Sequence, residues 1–426
     1  MKSNSTLIKK LFENLWPINR SITGRGFLLS LKIIKKKINS LKIKKIKTGT
    51  KVFDWKIPQE WNVKNAWIKD HAGNEIVNLR NNNLHLVGYS KPINKTLNYS
   101  KLEKHIHTLK KYPNAIPYVT SYYKKNWGFC IKDNLKKKLN KKGKYKVYID
   151  SKFSNGHLRY GEVLIRGKSK KEIFFSTYLC HPSLANNELS GPILTTILIN
   201  WLKRKKRNYT YRLVFIPETI GSIAYLHKNI DKIKKKIIAG FVVTCVGDER
   251  NFSYLSSRLK NTVSDKVILR ILKKNKIKYK TFNWLDRGSD ERQYCSPGID
   301  LPVASLMRSK YGTYKEYHNS MDKFGTVVTT KGILETLNIY KQIIQDLEKR
   351  EFPITKVNCE PNLGKRHLYP AISKAESNRG NSKRLLDILS YCDGSKSLEE
   401  ICSILSINSR ELNKNLNILK KSKLVY

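Results

Sequence analysis

Residues 176–192 read STYLCHPSLANNELSGP and mark a point where a strand gives way to a helix. An apolar run that begins at Ile173 predicts a buried strand, and the run stops abruptly at His181. A polar loop with two asparagines and a glutamate follows, and a second apolar run starts at Pro192. A strand that ends in histidine beside amide and acid groups is typical of the ligand-bearing edge of an α/β sheet.

The chain from residue 171 onward alternates between short apolar runs and amphipathic segments. Four apolar runs predict buried strands, at 173–180, 212–216, 238–246 and 302–307. Helices are expected between them, and a long closing helix carries its apolar residues on one face: Ile333, Leu337, Tyr340, Ile344 and Leu347. This alternation predicts an α/β domain with a mainly parallel central sheet.

The two ends of the chain follow other patterns. Residues 7–46 predict two helices, and residues 51–166 are rich in β-branched and aromatic side chains, which favours strands. The Asn-Gly pair in FSNGH, residues 153–157, predicts a hairpin. Three short helices are expected within 383–421, a unit that resembles a winged-helix or helix-turn-helix domain, although a wing needs more chain than the final KLVY supplies.

The composition is that of a globular protein with an extreme charge. Hydrophobic residues make up 40% of the 426, and the apolar runs are shorter than the about 20 residues that span a bilayer. Seven cysteines without a CxxC pair, and a first segment without a secretory signal pattern, favour a reducing cytoplasm. The net charge of +51 indicates either a surface for polyanions or biased lysine usage, and the even spread of the lysines favours the second.

Imidazole and acidic groups flank the predicted strands. The groups are His181, Glu218 and Asp248 after the first three, Asp290 and Glu291 before the fourth, and His318 after it. Because the carboxyl ends of parallel strands meet at one edge, we expect these groups to lie together. Imidazole nitrogen and carboxylate oxygen suit zinc, and a neighbouring carboxylate can act as general base. The pattern therefore favours metal-assisted hydrolysis.

The order of these groups resembles that of the co-catalytic zinc aminopeptidases, which are related to glutaminyl cyclases. The matching pieces are His181, NNELSG, PETIGS, GSDERQYCSPGID and YHNSMD. Longer stretches look like a bacterial family of aminopeptidase-like proteins with an inserted β-domain and a C-terminal winged helix: LWPINRSITGRG, AIPYVTSYYKKNWGFC, RGSDERQYCSPGIDLPV and GKRHLYP. This resemblance covers nearly the whole chain, and that family is often associated with polysaccharide biosynthesis.

The chain departs from the zinc-aminopeptidase pattern at several ligand positions. The bridging Asp aligns with Asn187, the Asp after the third strand falls near Thr244 or Cys245, and the Asp that orients the first histidine is missing. A neutral amide is a poor bridge between two cations, so the resemblance implies one zinc ion rather than two. Its expected ligands are His181, Glu188, Glu218 and His318.

Further roles follow from the same resemblance and from side-chain chemistry. The candidates for the catalytic carboxyl group are Glu218, Asp290 and Glu291. Substrate contacts are expected from Asn187, Arg308 and Tyr317, and Asp248 is a further candidate. An arginine at position 308 is suited to holding a substrate carboxylate, since its guanidinium group forms paired hydrogen bonds with such groups.

The expected organisation is a chain of three domains. An α/β peptidase-like domain combines N-terminal helices in residues 1–50 with residues 155–350, and a β-rich domain of residues 51–154 is inserted into it. Residues 351–379 are expected to form a linker, and residues 380–426 a winged-helix-like domain.

The expected function is that of an aminopeptidase-like, zinc-dependent hydrolase in the cytoplasm, acting on a small amine-bearing or peptide-like compound. The alternative is a catalytically weakened scaffold with a binding or regulatory role, which the altered ligands favour and the retained histidines oppose. Arg410 and Lys414 make DNA docking by the tail conceivable, but a structural or protein-contact role is favoured because such charges are ordinary in this chain. A homo-oligomer is compatible with the sequence, and no membrane span is expected.

Overall fold

A computed structural model describes residues 2–122, 124–369 and 379–426. The N-terminal segment forms α1 (Lys2–Leu15), α2 (Arg25–Lys37) and β1 (Lys42–Lys47). The next segment contains β2 (Lys51–Val52), β3 (Trp55–Lys56), β4 (Glu60–Lys69), β5 (Glu75–Asn78), β6 (Ile93–Asn98), α3 (Tyr99–Leu102), β7 (Ile106–His107), β8 (Phe129–Cys130), α4 (Asp133–Lys137) and β9 (Lys144–Ser154).

The remaining elements belong to the α/β part and to the tail. The α/β part continues with β10 (His157–Ile165), β11 (Glu172–Tyr178), α5 (Ser190–Lys203), β12 (Thr210–Ile216), α6 (Ile220–Ile233), β13 (Ile237–Val242), β14 (Phe252–Leu255), α7 (Val263–Lys274), β15 (Tyr279–Phe282), α8 (Glu291–Tyr294), β16 (Val303–Met307) and α9 (Thr330–Glu348). The tail consists of α10 (Arg379–Ser390), α11 (Leu398–Leu405) and α12 (Ser409–Lys421).

An eight-stranded sheet organises the α/β part. Its strand order is β1-β10-β12-β11-β13-β16-β14-β15, and the four neighbours β12, β11, β13 and β16 are parallel. At one edge β10 pairs antiparallel with both β12 and β1, and at the other β14 pairs antiparallel with β16 and parallel with the last strand, β15. The predicted fold class is confirmed, and the four strands expected from apolar runs form the parallel centre of the sheet.

The parallel centre is buried on both faces. Along β11, Ile173 and Phe175 belong to one apolar cluster, whereas Phe174 between them packs into a second cluster with Tyr225 and Tyr294. Helix α5 has apolar residues nearly all round and is buried along most of its length. A parallel strand covered by helices on both sides explains why the sequence shows continuous apolar runs here and not an alternation.

Two sequence expectations need correction. Residues 42–47 form strand β1 instead of the end of a helix, and β1 pairs antiparallel with β10 at the edge of the sheet. Its exposed lysines protect that edge from pairing with another chain. The FSNGH turn does not close a hairpin, because β9 pairs with β4 and β6 whereas β10 enters the large sheet.

The tail is tied to the α/β part by backbone and ionic contacts. Thr355 forms an antiparallel bridge with Val425, so the final KLVY pairs with a segment that precedes the three helices. Glu400 makes an ion pair with Lys266 at 2.8 Å, and Glu399 with Arg350 at 3.0 Å. Residues 370–378 of the expected linker lie outside the described residues, and the domain boundaries stay a prediction. Within the described ranges, no helix has both the length and the apolar character needed to cross a membrane.

We predict that Gly191→Ala destabilises the fold. Gly191 is the second residue of α5, and a Cβ atom there would lie 2.2 Å from the Val243 carbonyl oxygen at the end of β13. Relieving such overpacking costs about 1–3 kcal/mol, so the midpoint of urea unfolding should fall clearly. Gly364→Ala is the matched control, since its Cβ would meet a side-chain atom at 3.3 Å. Equal midpoints for the two variants would contradict the close approach of α5 to the sheet.

Candidate active site

The carboxyl ends of the parallel strands form one edge of the sheet. His181 follows β11, Glu218 follows β12 and Thr244 follows β13. Backbone strain gathers at this edge, where four non-glycine residues adopt positive φ: Ser183 at 46°, Thr219 at 63°, Cys245 at 51° and His318 at 55°. Side-chain-bearing residues rarely adopt this conformation, and where they do the surrounding structure holds them, often at a functional site.

His181 is held by Glu188 from within the loop that follows β11. The imidazole Nδ1 and Glu188 Oε2 share a hydrogen bond, and Glu188 Oε1 accepts one from the backbone N–H of Cys180. Burial lowers the pKa of His181, but the neighbouring Cys180 and Glu188 outweigh it and hold this pKa well above its ordinary value. A carboxylate on Nδ1 fixes the ring orientation and leaves Nε2 to face the site, as beneath many metal-bound histidines.

This geometry changes the interpretation of Glu188. The sequence favoured Glu188 as a zinc ligand and offered no acid to orient His181. Both Glu188 oxygens form hydrogen bonds, which makes Glu188 suited to orienting His181, and Glu188 also belongs to the described trio, with Cys180 and His181, whose ligand atoms lie within 4.8 Å of one another. The π-helical turn Ala185–Leu189 brings Glu188 back to His181, and such turns are too rare for a sequence pattern to indicate.

Glu218 faces the other nitrogen of the same imidazole ring. Its Oε2 lies 3.5 Å from His181 Nε2, and its Oε1 accepts a hydrogen bond from the Ser289 hydroxyl at 2.8 Å. Burial raises the pKa of Glu218, and the charge of His181 works in the opposite direction. The side chain is one-fifth exposed, so Glu218 can meet a molecule that enters the site.

His318 lies beside His181, on the loop after β16. The His181 and His318 ring centroids are 5.4 Å apart, and the Tyr118 ring meets both edge-on, at 4.8 and 5.1 Å. Tyr317 stacks on His318 at 3.9 Å. Burial and the charge of His181 lower the pKa of His318 well below its ordinary value, so His318 is a neutral imidazole with a free lone pair.

Two supporting residues were missed by sequence reasoning. Arg20 is 1% exposed, and its Nε and Nη2 donate to the His181 carbonyl oxygen at 3.1 and 2.9 Å. Tyr118 reaches the site from the segment between β7 and β8, where its backbone N–H donates to the His318 carbonyl at 2.8 Å. Both lie in stretches that carry the family resemblance, but bonds to distant backbone carbonyls leave no local pattern in a sequence.

Asp290 and Glu291 form hydrogen bonds with the backbone beside the site. Asp290 Oδ1 accepts a hydrogen bond from the Thr219 N–H at 2.8 Å, and Glu291 Oε1 accepts one from the Ser289 N–H at 2.9 Å. Burial and the charge of Glu218 raise the pKa of Asp290 to about 8. Because each carboxyl group holds a backbone N–H beside the site, we interpret both as positioning residues.

Asn187 and Asp248 differ in how far their polar side-chain atoms are hydrogen-bonded. Asp248 is buried, and its oxygens accept hydrogen bonds from the Asn186 side chain at 2.8 Å and the Ser309 N–H at 3.0 Å, which leaves it poorly placed to bind a metal. The Nδ2 atom of Asn187 is buried and has no hydrogen-bond partner in the part of the chain that the structure describes. An unpaired buried donor is costly, and a substrate oxygen could satisfy it.

Arg308 packs against a different part of the fold. Its guanidinium group lies over the Phe252 ring at 4.3 Å and meets Glu335 of α9 at 3.4 Å, which argues against a substrate-carboxylate role. Arg292, instead, is the arginine whose positive charge acts to lower the pKa of Glu218.

A cavity of about 780 Å³ opens beside these groups. One wall comes from residues 106–119, and the other from residues 312–319 after β16. Tyr118, Tyr317 and His318 belong to its lining, so the cavity adjoins the place where the two histidines meet.

The donor chemistry fits one divalent metal ion better than two. Two imidazoles and one carboxylate, a donor set suited to zinc, lie near one another: His181 Nε2 is 3.5 Å from Glu218 Oε2, and the His181 and His318 ring centroids are 5.4 Å apart. Among the described residues, the trio whose ligand atoms all lie within 4.8 Å of one another is Cys180, His181 and Glu188, on the Nδ1 side of the ring, where His181 is hydrogen-bonded to Glu188. Neither position 187, which is an amide, nor Thr244, whose hydroxyl is hydrogen-bonded at 2.6 Å to the Tyr178 hydroxyl, supplies a carboxylate for a second ion.

Sequence comparisons place this site in a known group of proteins. A family model described as a domain of unknown function, DUF4910, matches residues 9–350, and a winged helix-turn-helix model matches residues 352–426. A protein of Clostridium acetobutylicum is 41% identical over 395 residues, which cover 92% of this chain and 90% of the relative. It is named as a polysaccharide biosynthesis protein with an aminopeptidase-like domain.

Solved structures agree with this grouping. A crystal structure named as a peptidase from Clostridium acetobutylicum matches with a TM-score of 0.80 and 37% identity, covering 100% of this chain and 96% of the other. A zinc aminopeptidase from Bacillus subtilis matches with a TM-score of 0.59 at 12% identity, over 81% of this chain and 94% of the other, which shows a shared fold. The predicted aminopeptidase-like fold and winged-helix tail are thereby confirmed.

We predict that Glu188→Gln weakens zinc binding without abolishing it. The glutamine oxygen can still accept from His181 Nδ1, but the charge that supports the ring is lost. Changes to such outer partners typically lower metal affinity about 10–100-fold. A competitive titration with a chromophoric chelator measures this, with His181→Ala as the variant that should lose the ion. A Glu188→Gln protein as empty as His181→Ala would return Glu188 to the ligand set.

Proposed function

Because this chain belongs to the DUF4910 family of aminopeptidase-like proteins, we propose that it is a zinc-dependent hydrolase. The substrate class is a small amine-bearing or peptide-like compound with an amide or peptide bond. The single observation that carries the proposal is that His181 Nε2 and Glu218 Oε2 lie 3.5 Å apart beside the His318 ring, with Glu188 fixed on the far nitrogen of His181. We carry over a link to polysaccharide biosynthesis from the name of the Clostridium relative.

In this proposal the zinc ion is held by His181, Glu218 and His318. A bound zinc ion supplies Lewis-acid character, which polarises an amide carbonyl and makes a nearby water more acidic. Glu188 keeps the His181 ring oriented. Both imidazoles would bind the ion through an unprotonated nitrogen, which the lowered pKa of His318 favours and for which His181, whose pKa is raised, would release its Nε2 proton.

Proton transfer is assigned to Glu218. Among the three candidate carboxyl groups, Glu218 has exposed surface, whereas Asp290 and Glu291 have none. Glu218 has two differently placed oxygens, with Oε2 towards His181 and Oε1 at the Ser289 hydroxyl. In this assignment Oε2 would be the metal donor and Oε1 the proton acceptor, which requires Oε1 to exchange its hydrogen bond from Ser289 for one from the attacking water.

Asn187 is assigned to the substrate carbonyl oxygen. Its Nδ2 donor is buried without a partner among the described residues, and it adjoins Glu188 in the chain. A donor fixed in advance stabilises the negative charge that develops on a carbonyl oxygen during amide hydrolysis. The Asn187 amide, which disfavours a second metal ion, is thus assigned a role in binding the substrate.

Metal content and hydrolysis test the proposal together. Elemental analysis of protein purified without a His-tag should give about one zinc per chain, as a single site of this kind requires. His181→Ala and His318→Ala should lose both the ion and hydrolysis of a panel of aminoacyl p-nitroanilides. His227→Ala, a histidine whose ring lies against Phe53, is the control and should retain both. Zinc-free wild type would overturn the proposal, and stoichiometric zinc without turnover of any amide would favour the weakened scaffold.

We predict that Asn187→Ala lowers turnover and leaves zinc binding intact. Loss of one such donor typically lowers kcat about 100–1,000-fold. The change should fall on kcat more than on KM, because the donor acts most strongly as charge develops. Elemental analysis of the same preparation provides the internal control. Loss of zinc in Asn187→Ala would show that the residue supports the metal and would contradict its assignment to the substrate.

A further inference from the structure

The cavity beside His318 has a distinct chemical character. Its basic residues are His107 and Lys111 on one wall and Lys315 on the other, and no Asp or Glu occurs among its described lining residues. Glu316, the acid next to this wall in sequence, is held by Arg250 at 3.0 Å and is not part of the lining.

The charges of Lys111 and Lys315 are available to a bound anion. Within the described residues neither Lys111 nor Lys315 forms an ion pair, and both are exposed. The Lys111 ammonium group lies over the Tyr112 ring, 5.6 Å from its centroid, and both residues belong to the cavity lining. A cavity with these cations favours an oxyanion and disfavours an ammonium group, which would lie among like charges with no carboxylate in the lining.

The rest of the lining suits a ring. Tyr112, Tyr314 and Tyr317 supply aromatic faces, and Thr108 and Thr313 supply hydroxyls. Aromatic faces with scattered hydroxyls are the surroundings in which a hydroxyl-rich ring combines apolar contact with hydrogen bonding. A volume of about 780 Å³ is ample for a sugar with a substituent.

We infer that this cavity binds the oxyanion-bearing sugar portion of the substrate, with Lys111 and Lys315 as the residues that select it. The inference rests on the proposed function, and it deepens that function by naming the part of the substrate that lies away from the scissile bond. The oxyanion is a carboxylate or a phosphate, two groups that lysine ammonium binds through the same charge.

Binding of three probes to zinc-free protein tests the inference. The probes are glucuronate, glucose 1-phosphate and glucose, and their dissociation constants are measured by ligand-observed NMR titration. We expect one or both anionic sugars to bind more tightly than glucose. Tighter binding of glucuronate alone identifies a carboxylate as the natural group, and of glucose 1-phosphate alone a phosphate.

Charge variants separate a specific site from the general basicity of the chain. Lys111→Gln and Lys315→Gln should each weaken anionic-sugar binding about fivefold, the effect of losing roughly 1 kcal/mol at a solvent-accessible ion pair. Lys142→Gln removes the same charge from an exposed turn outside the cavity and should have no effect. Equal weakening in all three variants would overturn the inference, as would anionic sugars that bind no better than glucose.

These outcomes are separate from those that test the hydrolase proposal. The probe titrations need neither zinc nor turnover, so their failure leaves the metal site standing. Conversely, wild type without zinc overturns the hydrolase while the titrations still report whether the cavity selects anionic sugars.

Discussion

The hydrogen bond between His181 and Glu188 is the interaction on which the rest of the site depends. A buried carboxylate is costly unless it is paired, and Glu188 satisfies one oxygen with His181 and the other with the Cys180 backbone. Arg20 adds a buried cation that holds the His181 carbonyl. Burial lowers the pKa of Arg20 to about 10, and the charge of Glu188 works against that shift. The three groups form one buried set in which the Glu188 carboxylate faces two cationic side chains, so removing Glu188 would leave both without compensation.

This set stands on a rigid support. β11 is packed on both faces, and its parallel neighbours bring Glu218 and Thr244 to the same edge. The left-handed residues beside the site, such as Thr219, are individually unfavourable by about 1–3 kcal/mol. They persist because hydrogen bonds hold the backbone around them, as Asp290 does at the Thr219 N–H. The edge can therefore keep an irregular backbone that a less firmly packed sheet would relax.

Sequence reasoning could predict what depends on periodicity and could not predict what depends on contacts between distant residues. The apolar runs located the parallel strands, and the strand ends then indicated His181, Glu218 and His318. The role of Glu188 depends on a π-helical turn, and Arg20 acts on a carbonyl 161 residues away. Arg308 shows the opposite case, since the chemistry of its side chain suggested a contact with a substrate carboxylate, whereas its guanidinium group packs on Phe252. The sequence alone does not distinguish an arginine that binds substrate from one that packs within the fold, because burial and contacts decide its role.

Residues 106–119 contribute to the candidate site, because they form one wall of its cavity. The Tyr118 N–H donates to the His318 carbonyl and the Ser320 N–H donates to the Ile116 carbonyl, so the two walls of the cavity are joined by backbone hydrogen bonds. Since the Tyr118 ring also meets both histidines, a displacement of this segment would move His318 relative to His181. The residues assigned to the sugar portion and those assigned to the metal thus share one wall. Occupation of the cavity would press on the same loop that carries His318, and this couples the choice of substrate to the geometry of the metal donors.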